Sequence, residues 1–242
     1  MKYLKASELS FNPRPQMAKI FAEGFYDHGL KMLCKNKEEL ARATEHIFLL
    51  ENFYVAIENE NEIAAFVGCC AKKPPPVTLD KKILRREMGF FHGSIVYFAL
   101  NKVLIQKPYP FEQPLQAASI EFVATAPEHR GKGAAFGLLS HVMEVEPYNS
   151  YVLEVVGINI AAIRLYEKLG FVEFMRVPAP KGSKLEQFVY MKKEGAYRSS
   201  GSPGGELAIA AKLQRNFLAR NKYYNVQLVT LSNQLGFCFI LT

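Results

Sequence analysis

The hydrophobic positions of this chain change period several times, and each change marks an element. Between residues 13 and 30, Met17, Ile20, Phe21, Phe25 and Tyr26 recur at helical spacing. A second helical stretch runs over 37–49, with Leu40, Ala43, Thr44 and Ile47 on one face. Two strands follow, Phe53–Glu58 and Ile63–Cys70, and the polar turn Glu58-Asn-Glu-Asn-Glu between them makes a hairpin. Lys72-Lys-Pro-Pro-Pro stops the second strand. Residues 79–106 read as helical, with a break expected near His92-Gly93, and Pro108, Pro110 and Pro114 stiffen the next loop. Then come a strand over Leu115–Thr125, a helix over Gly133–Glu146 and a strand over Tyr151–Val156. A helix over Asn159–Leu169 is closed by Gly170, followed by strands Phe171–Val177 and Gln187–Lys192. The order αα-ββ-α-β-α-β-α-ββ is that of a mixed α/β layer domain ending near residue 193.

Composition narrows the function classes. The hydrophobic fraction of 49% in 242 residues is that of a globular chain with a substantial core. The net charge of +7 is unevenly spread. Residues 1–194 carry 25 Lys+Arg against 22 Asp+Glu, and 195–242 carry 5 against 1. The main domain is therefore nearly balanced, and no nucleic-acid partner is expected. Cys34, Cys69, Cys70 and Cys238 form no CxxC pair, so no metal site is expected, and free thiols point to a reducing cytoplasm. The first residues carry no apolar signal core, and the apolar run 235–241 is too short to span a bilayer, so no membrane partner is expected either. Residues 194–205 read as a flexible Ser/Gly linker and 206–242 as an extension without a core of its own. Deleting 196–242 is expected to leave a folded, active protein; an insoluble or inactive product would sink that division.

One loop carries candidate chemistry. The strand ending at Thr125 runs through Ala-Pro-Glu-His-Arg-Gly-Lys-Gly directly into a helix. Gly131 and Gly133 allow a bulky anion close to the backbone. The first-turn N–H groups of the helix lack intrahelical acceptors and sit at the positive end of its dipole. Arg130 and Lys132 add charge, so a pyrophosphate fits. A Walker loop is excluded, because no Ser or Thr follows Lys132. A dinucleotide fingerprint remains open: Gly137 comes one residue late, but Glu154 lies at the distance of a ribose contact. A plain tight turn is the third reading of the two glycines.

Arg130-Gly-Lys-Gly, after a strand and before a helix, resembles motif A of the GNAT superfamily of N-acetyltransferases. The stretch Asn159-Ile-Ala-Ala-Ile-Arg-Leu-Tyr-Glu-Lys-Leu-Gly-Phe is similar to that family's motif B, matching at Asn159, Ala162, Leu165, Tyr166, Gly170 and Phe171. The resemblance covers residues 1–193. It implies a mostly antiparallel sheet with helices on both faces, splayed between the strands at 115–125 and 151–156. It also implies acetyl-CoA as co-substrate. Val123, Ala124 and Thr125 would meet the pantetheine arm, through the backbone at Val123 and Thr125. His129, Arg130, Gly131, Lys132, Gly133 and Ala134 would hold the pyrophosphate. Asn159, with Ala162 near it, would bond the arm, and Tyr166 would face the thioester sulfur. Glu128 departs from the fuller motif, which has Gln or Arg there, so its charge should point away from the phosphates.

Acyl transfer needs an unprotonated amine and a protonated leaving sulfur. Tyr166 is the candidate general acid, since its hydroxyl is protonated at neutral pH; packing as a core aromatic is the alternative. Glu121, among Ile120 and Phe122, is the candidate general base, and alternation puts it on one face with Val123; a structural ion-pair partner is the alternative. His92 and Glu87 are minor candidates for the acceptor wall. The expected activity is direct acetyl transfer to a primary amine of a small molecule or peptide, and a homodimer is compatible with the chain. A non-catalytic acyl-CoA sensor and a dinucleotide enzyme are the alternatives. The acceptor itself has no signature in the sequence.

Overall fold

The computed structural model describes residues 1–27, 30–71, 75–106, 109–114, 116–179 and 186–195. Of the expected linker (194–205) and extension (206–242), residues 196–242 lie outside these residues, as do Lys72-Lys73, Pro108 and Leu115. Seven strands form one sheet: β1 (Lys2–Lys5), β2 (Phe53–Glu58), β3 (Glu62–Ala71), β4 (Ala117–Thr125), β5 (Ser150–Val156), β6 (Val172–Pro178) and β7 (Gln187–Glu194). Their spatial order is β1-β2-β3-β4-β5-β7-β6. Only β4 and β5 are parallel, because the helix between them carries the chain back across the sheet.

Helices cover both faces. On one side lie α1 (Arg14–Phe25), α2 (Lys37–Thr44), α3 (Lys81–Met88) and α4 (Phe90–Leu100), whose apolar side chains share a core with Phe53, Val55, Phe66 and Phe122. On the other lie α5 (Ala134–Val145) and α6 (Ile160–Lys168), packed with Tyr54, Ala56, Val67 and Ile120. The alternation of Phe53 and Val55 against Tyr54 and Ala56 along β2 is the two-residue period of a strand buried on both faces.

Four expectations need correction. Strand β1 was not foreseen: Lys-Tyr-Leu-Lys is too short to show a period, and only its pairing with β2 over Lys2↔Ile57 to Lys5↔Tyr54 defines it. Helix α2 stops at Thr44 and gives way to a 3-10 turn over Glu45–Ile47, rather than running to 49. The helical break falls at Gly89, with φ +82°, not at His92-Gly93. Gly93 instead lies inside α4, where a Cβ would sit 2.3 Å from the Leu84 carbonyl oxygen. Glycine is there for close helix–helix approach, not for a turn. Gly93→Ala is expected to lower stability by about 1–3 kcal/mol through overpacking, read as an earlier urea midpoint.

The fourth correction concerns β4. Phe66 pairs with Ala124 but Gly68 pairs with Glu121, so Phe122 and Val123 together oppose Val67. This is a β-bulge, and Phe122 sits at φ +54°, a backbone position that costs a non-glycine residue about 1–3 kcal/mol. Strict alternation therefore fails. Ile120 and Val123 both join the α5–α6 core, whereas Phe122 and Ala124 join the opposite one. Glu121 does not share a face with Val123, contrary to the simple strand reading.

The bulge is also where the sheet opens. Strands β4 and β5 pair from Ala117↔Ser150 to Ile120↔Leu153. Beyond that rung β4 stays with β3 as far as Thr125↔Ala65, and β5 stays with β7 as far as Val156↔Phe188. Each arm of the fork keeps its own partner, so the splay leaves neither strand without a ladder.

Candidate active site

The phosphate loop is built on two glycines that need their backbone freedom. Gly131 has φ +73° and Gly133 φ +80°, and a Cβ at either would meet nothing within 4 Å. The requirement is thus conformational, and the space over the loop is open. Gly133 is the N-cap of α5, and the first bond of the helix runs from the Gly137 N–H to the Gly133 carbonyl at 2.9 Å. The N–H groups of Ala134, Ala135 and Phe136 are left facing out of the helix end. Gly137 has a different function: a Cβ there would sit 1.9 Å from the Tyr3 hydroxyl, so it seats β1 on α5.

Part of the expected His129–Ala134 anion loop is engaged within the loop itself, the Lys132 N–H bonding the His129 carbonyl at 3.4 Å. The His129 N–H bonds the Ala126 carbonyl at 2.9 Å, and the Arg130 N–H bonds that of Pro127 at 3.3 Å. Both amides are used in closing the 3-10 turn Pro127–His129. The His129 ring is buried and points into the β2–β3 hairpin, its Nδ1 2.8 Å from Glu58 and its Nε2 2.9 Å from Glu62. It clasps the loop to the hairpin. The Arg130 Nε donates to the Thr125 carbonyl at 3.3 Å and so braces the end of β4. Glu128 lies on the hairpin side, its carboxylate within 4.8 Å of the His129 and Glu62 ligand atoms. That trio has metal-type donors, but both His129 nitrogens already face carboxylates.

At the fork, one residue past the last paired rung, each strand carries a glutamate: Glu121 on β4 and Glu154 on β5. The Tyr109 hydroxyl donates to Glu121 Oε1 at 3.4 Å, and the Tyr190 hydroxyl donates to Glu154 Oε2. Phe111 stands 5.1 Å from Tyr109 and 5.5 Å from Tyr190, ring centre to ring centre, so the two carboxylates lie beneath an aromatic wall. Burial, then the charges of Glu121 and Glu154, push the Tyr109 hydroxyl well above its ordinary value of 10, so it stays protonated. Glu154, Tyr109 and Tyr190 were not foreseen as partners of Glu121. A signal did exist: a single glutamate interrupts each of two otherwise apolar strands, Ser119–Val123 and Tyr151–Val155.

On the other face, Val123 and Val155 of the two arms share a core with α6. Tyr166 is fully buried, 5.9 Å from the Phe171 ring, in the same core as Val123 and Val155 from the two arms. Asn159 is the N-cap of α6, its Oδ1 accepting from the Ala162 N–H at 3.1 Å. The Ala162 methyl is wholly buried, so the positions of motif B also build the helix start. Ala124 and Thr125 are buried in β4. Glu87 is paired on the surface with Arg86 at 2.9 Å and Arg42 at 3.8 Å. Nearby thiols are inert: burial pushes Cys70 up to about 12 and Cys69 higher still.

Comparison with known proteins bears on the family and the fold. No curated protein matches the chain. Among solved structures, an acetyltransferase aligns with TM-score 0.50 and 17% identity, over 81% of this chain and all of its own. The ribosomal-protein-S18-alanine N-acetyltransferase of Escherichia coli aligns with TM-score 0.48 and 16% identity, over 83% of this chain and 97% of that one. An N-acetyltransferase of Staphylococcus aureus Mu50 aligns with TM-score 0.49 and 17% identity, over 80% of this chain and 100% of that one. At 17% identity the acetyltransferase with TM-score 0.50 speaks for the fold alone. The model of the acetyltransferase (GNAT) family matches residues 15–171, which takes in the fork, the phosphate loop and the α6 motif. The chain belongs to the acetyltransferase (GNAT) family and is an N-acetyltransferase that uses acetyl-CoA.

Proposed function

We propose that this enzyme transfers acetyl directly to a primary amine, which enters as its ammonium from the Glu121–Glu154 side of the fork and loses a proton before it attacks. The observation that supports this reading is that Glu121 stands one residue past the last β4–β5 rung under the aromatic wall, while Tyr166 of α6 is buried in the core on the other face of the sheet, with Val123 and Val155. The thioester then crosses between them, with the amides of the α5 N-terminus and the Gly131–Gly133 backbone holding the pyrophosphate. Lys132 adds charge at that loop, and Val123 and Thr125 line the pantetheine path.

The roles follow from the chemistry. Glu121 takes the proton from the incoming ammonium, directly or through water. Glu154 and the rings of Tyr109 and Tyr190 attract the cation before it is deprotonated. The Tyr166 hydroxyl gives its proton to the departing sulfur. Direct transfer is favoured over an acyl-enzyme because the buried thiols of Cys69 and Cys70 are held protonated. We assign this unit to residues 1–193.

Glu121→Gln tests the base. CoA release with a panel of amines should fall by about 10²-fold or more. A folded variant with the parent's rate removes Glu121 from the mechanism.

A further inference from the structure

The α3–α4 hairpin carries a surface that acetyl transfer does not use. From Gly89 to Asn101 the chain has no Asp, Glu, Lys or Arg. Helix α4 buries Gly93 against Leu84 of α3, and Val96 and Leu100 in the core shared with α1–α3. Its outer side is also apolar: Phe90 is 61% exposed, Phe91 82%, Ile95 63% and Phe98 62%. A helix that is apolar all round normally has something covering both sides.

Helix α3 runs alongside and is basic, with Lys81, Lys82, Arg85 and Arg86. The Arg85 guanidinium lies 4.1 Å from the Phe90 ring centre, and Lys81 Nζ lies 4.7 Å from that of Phe98. Cations therefore frame the exposed rings. The acidic neighbours are already engaged: Asp80 caps α3, and Glu87 pairs with Arg86 and Arg42.

This charge pattern selects the occupant. A second copy docked by a twofold axis would set one basic α3 against another. Residues 195–242 of the same chain carry 5 Lys+Arg against 1 Asp+Glu and would meet the same repulsion. An anionic lipid surface accepts both features at once: rings enter the headgroup–acyl boundary, and the cations stay among the headgroups. No described helix is long and apolar enough to cross a membrane, and α4, with 11 residues, would lie in the plane. We propose that the α3–α4 hairpin docks this enzyme on an anionic membrane surface through Phe90, Phe91, Ile95 and Phe98. The proposal does not depend on the acceptor or on the roles of Glu121 and Tyr166.

Co-sedimentation of the full chain with phosphatidylcholine vesicles, with and without phosphatidylserine, tests it. Binding is expected only with phosphatidylserine, and it should vanish at ~1 M salt, where the Debye length is about 3 Å. Lys82→Ala and Arg86→Ala should each weaken it about fivefold. Phe91→Ser and Phe98→Ser should each weaken it about tenfold or more. All four side chains are outward, so thermal unfolding should match the parent. The proposal is overturned if the parent ignores phosphatidylserine vesicles, or if folded variants bind as well as the parent. It is equally overturned if sedimentation velocity shows a dimer that Phe91→Ser dissociates and vesicles do not bind.

Discussion

Replacing Tyr166 by Phe is expected to lower turnover by about 10²-fold or more while leaving acetyl-CoA affinity little changed. The ring is fully buried and packs against Phe171 at 5.9 Å. Phenylalanine keeps that packing, so a fall in kcat reports the hydroxyl and not the fold. The leaving sulfur then departs as a thiolate without a proton donor at the fork. Steady-state kinetics with a good amine acceptor separate kcat from KM, and thermal unfolding checks the fold. Unchanged turnover would return Tyr166 to a purely structural place in the α5–α6 core.

Gly133→Asp should do the converse, raising the KM for acetyl-CoA by about 10- to 100-fold, the worth of a charge-assisted hydrogen bond turned to repulsion. Gly133 sits at φ +80° at the N-cap of α5, with open space where a side chain would grow. Asp tolerates the left-handed region better than most residues, and a carboxylate suits the positive end of a helix. The fold should therefore survive. The new charge would occupy the place where the pyrophosphate is held. Isothermal titration with CoA measures the loss directly. Unimpaired CoA binding in a folded variant would mean that the phosphates lie elsewhere.

Much of this enzyme was legible because its signals are local. The helical spacing of Met17, Phe21 and Phe25 defines α1, and Asn159 and Gly170 bracket α6. The glycines of the phosphate loop show the strand–loop–helix turn directly, and both take the positive φ that the motif requires. What stayed hidden depends on partners distant in sequence. His129 adjoins the cradle in sequence, but its ring answers to Glu58 and Glu62 on the hairpin. Gly93 resembles a break, but it answers to Leu84 on the neighbouring helix. Strand β1 exists only because β2 offers it an edge.

The fork shows where the division falls. The sequence by itself determined the α/β alternation, the anion loop at Gly131–Gly133, the α6 motif with Tyr166, and a glutamate inside an apolar strand. Each is set by a few consecutive residues and by backbone preferences that act over one or two turns. Only the tertiary structure decided that the bulge at Phe122–Val123 reverses the facing of β4, putting Glu121 opposite Val123. It alone set Glu121 beside Glu154 on β5 under Tyr109 and Tyr190. Register is the physical reason: a one-residue shift against β3 turns side chains to the other face, and that shift is chosen by the pairing of strands, not by either strand alone.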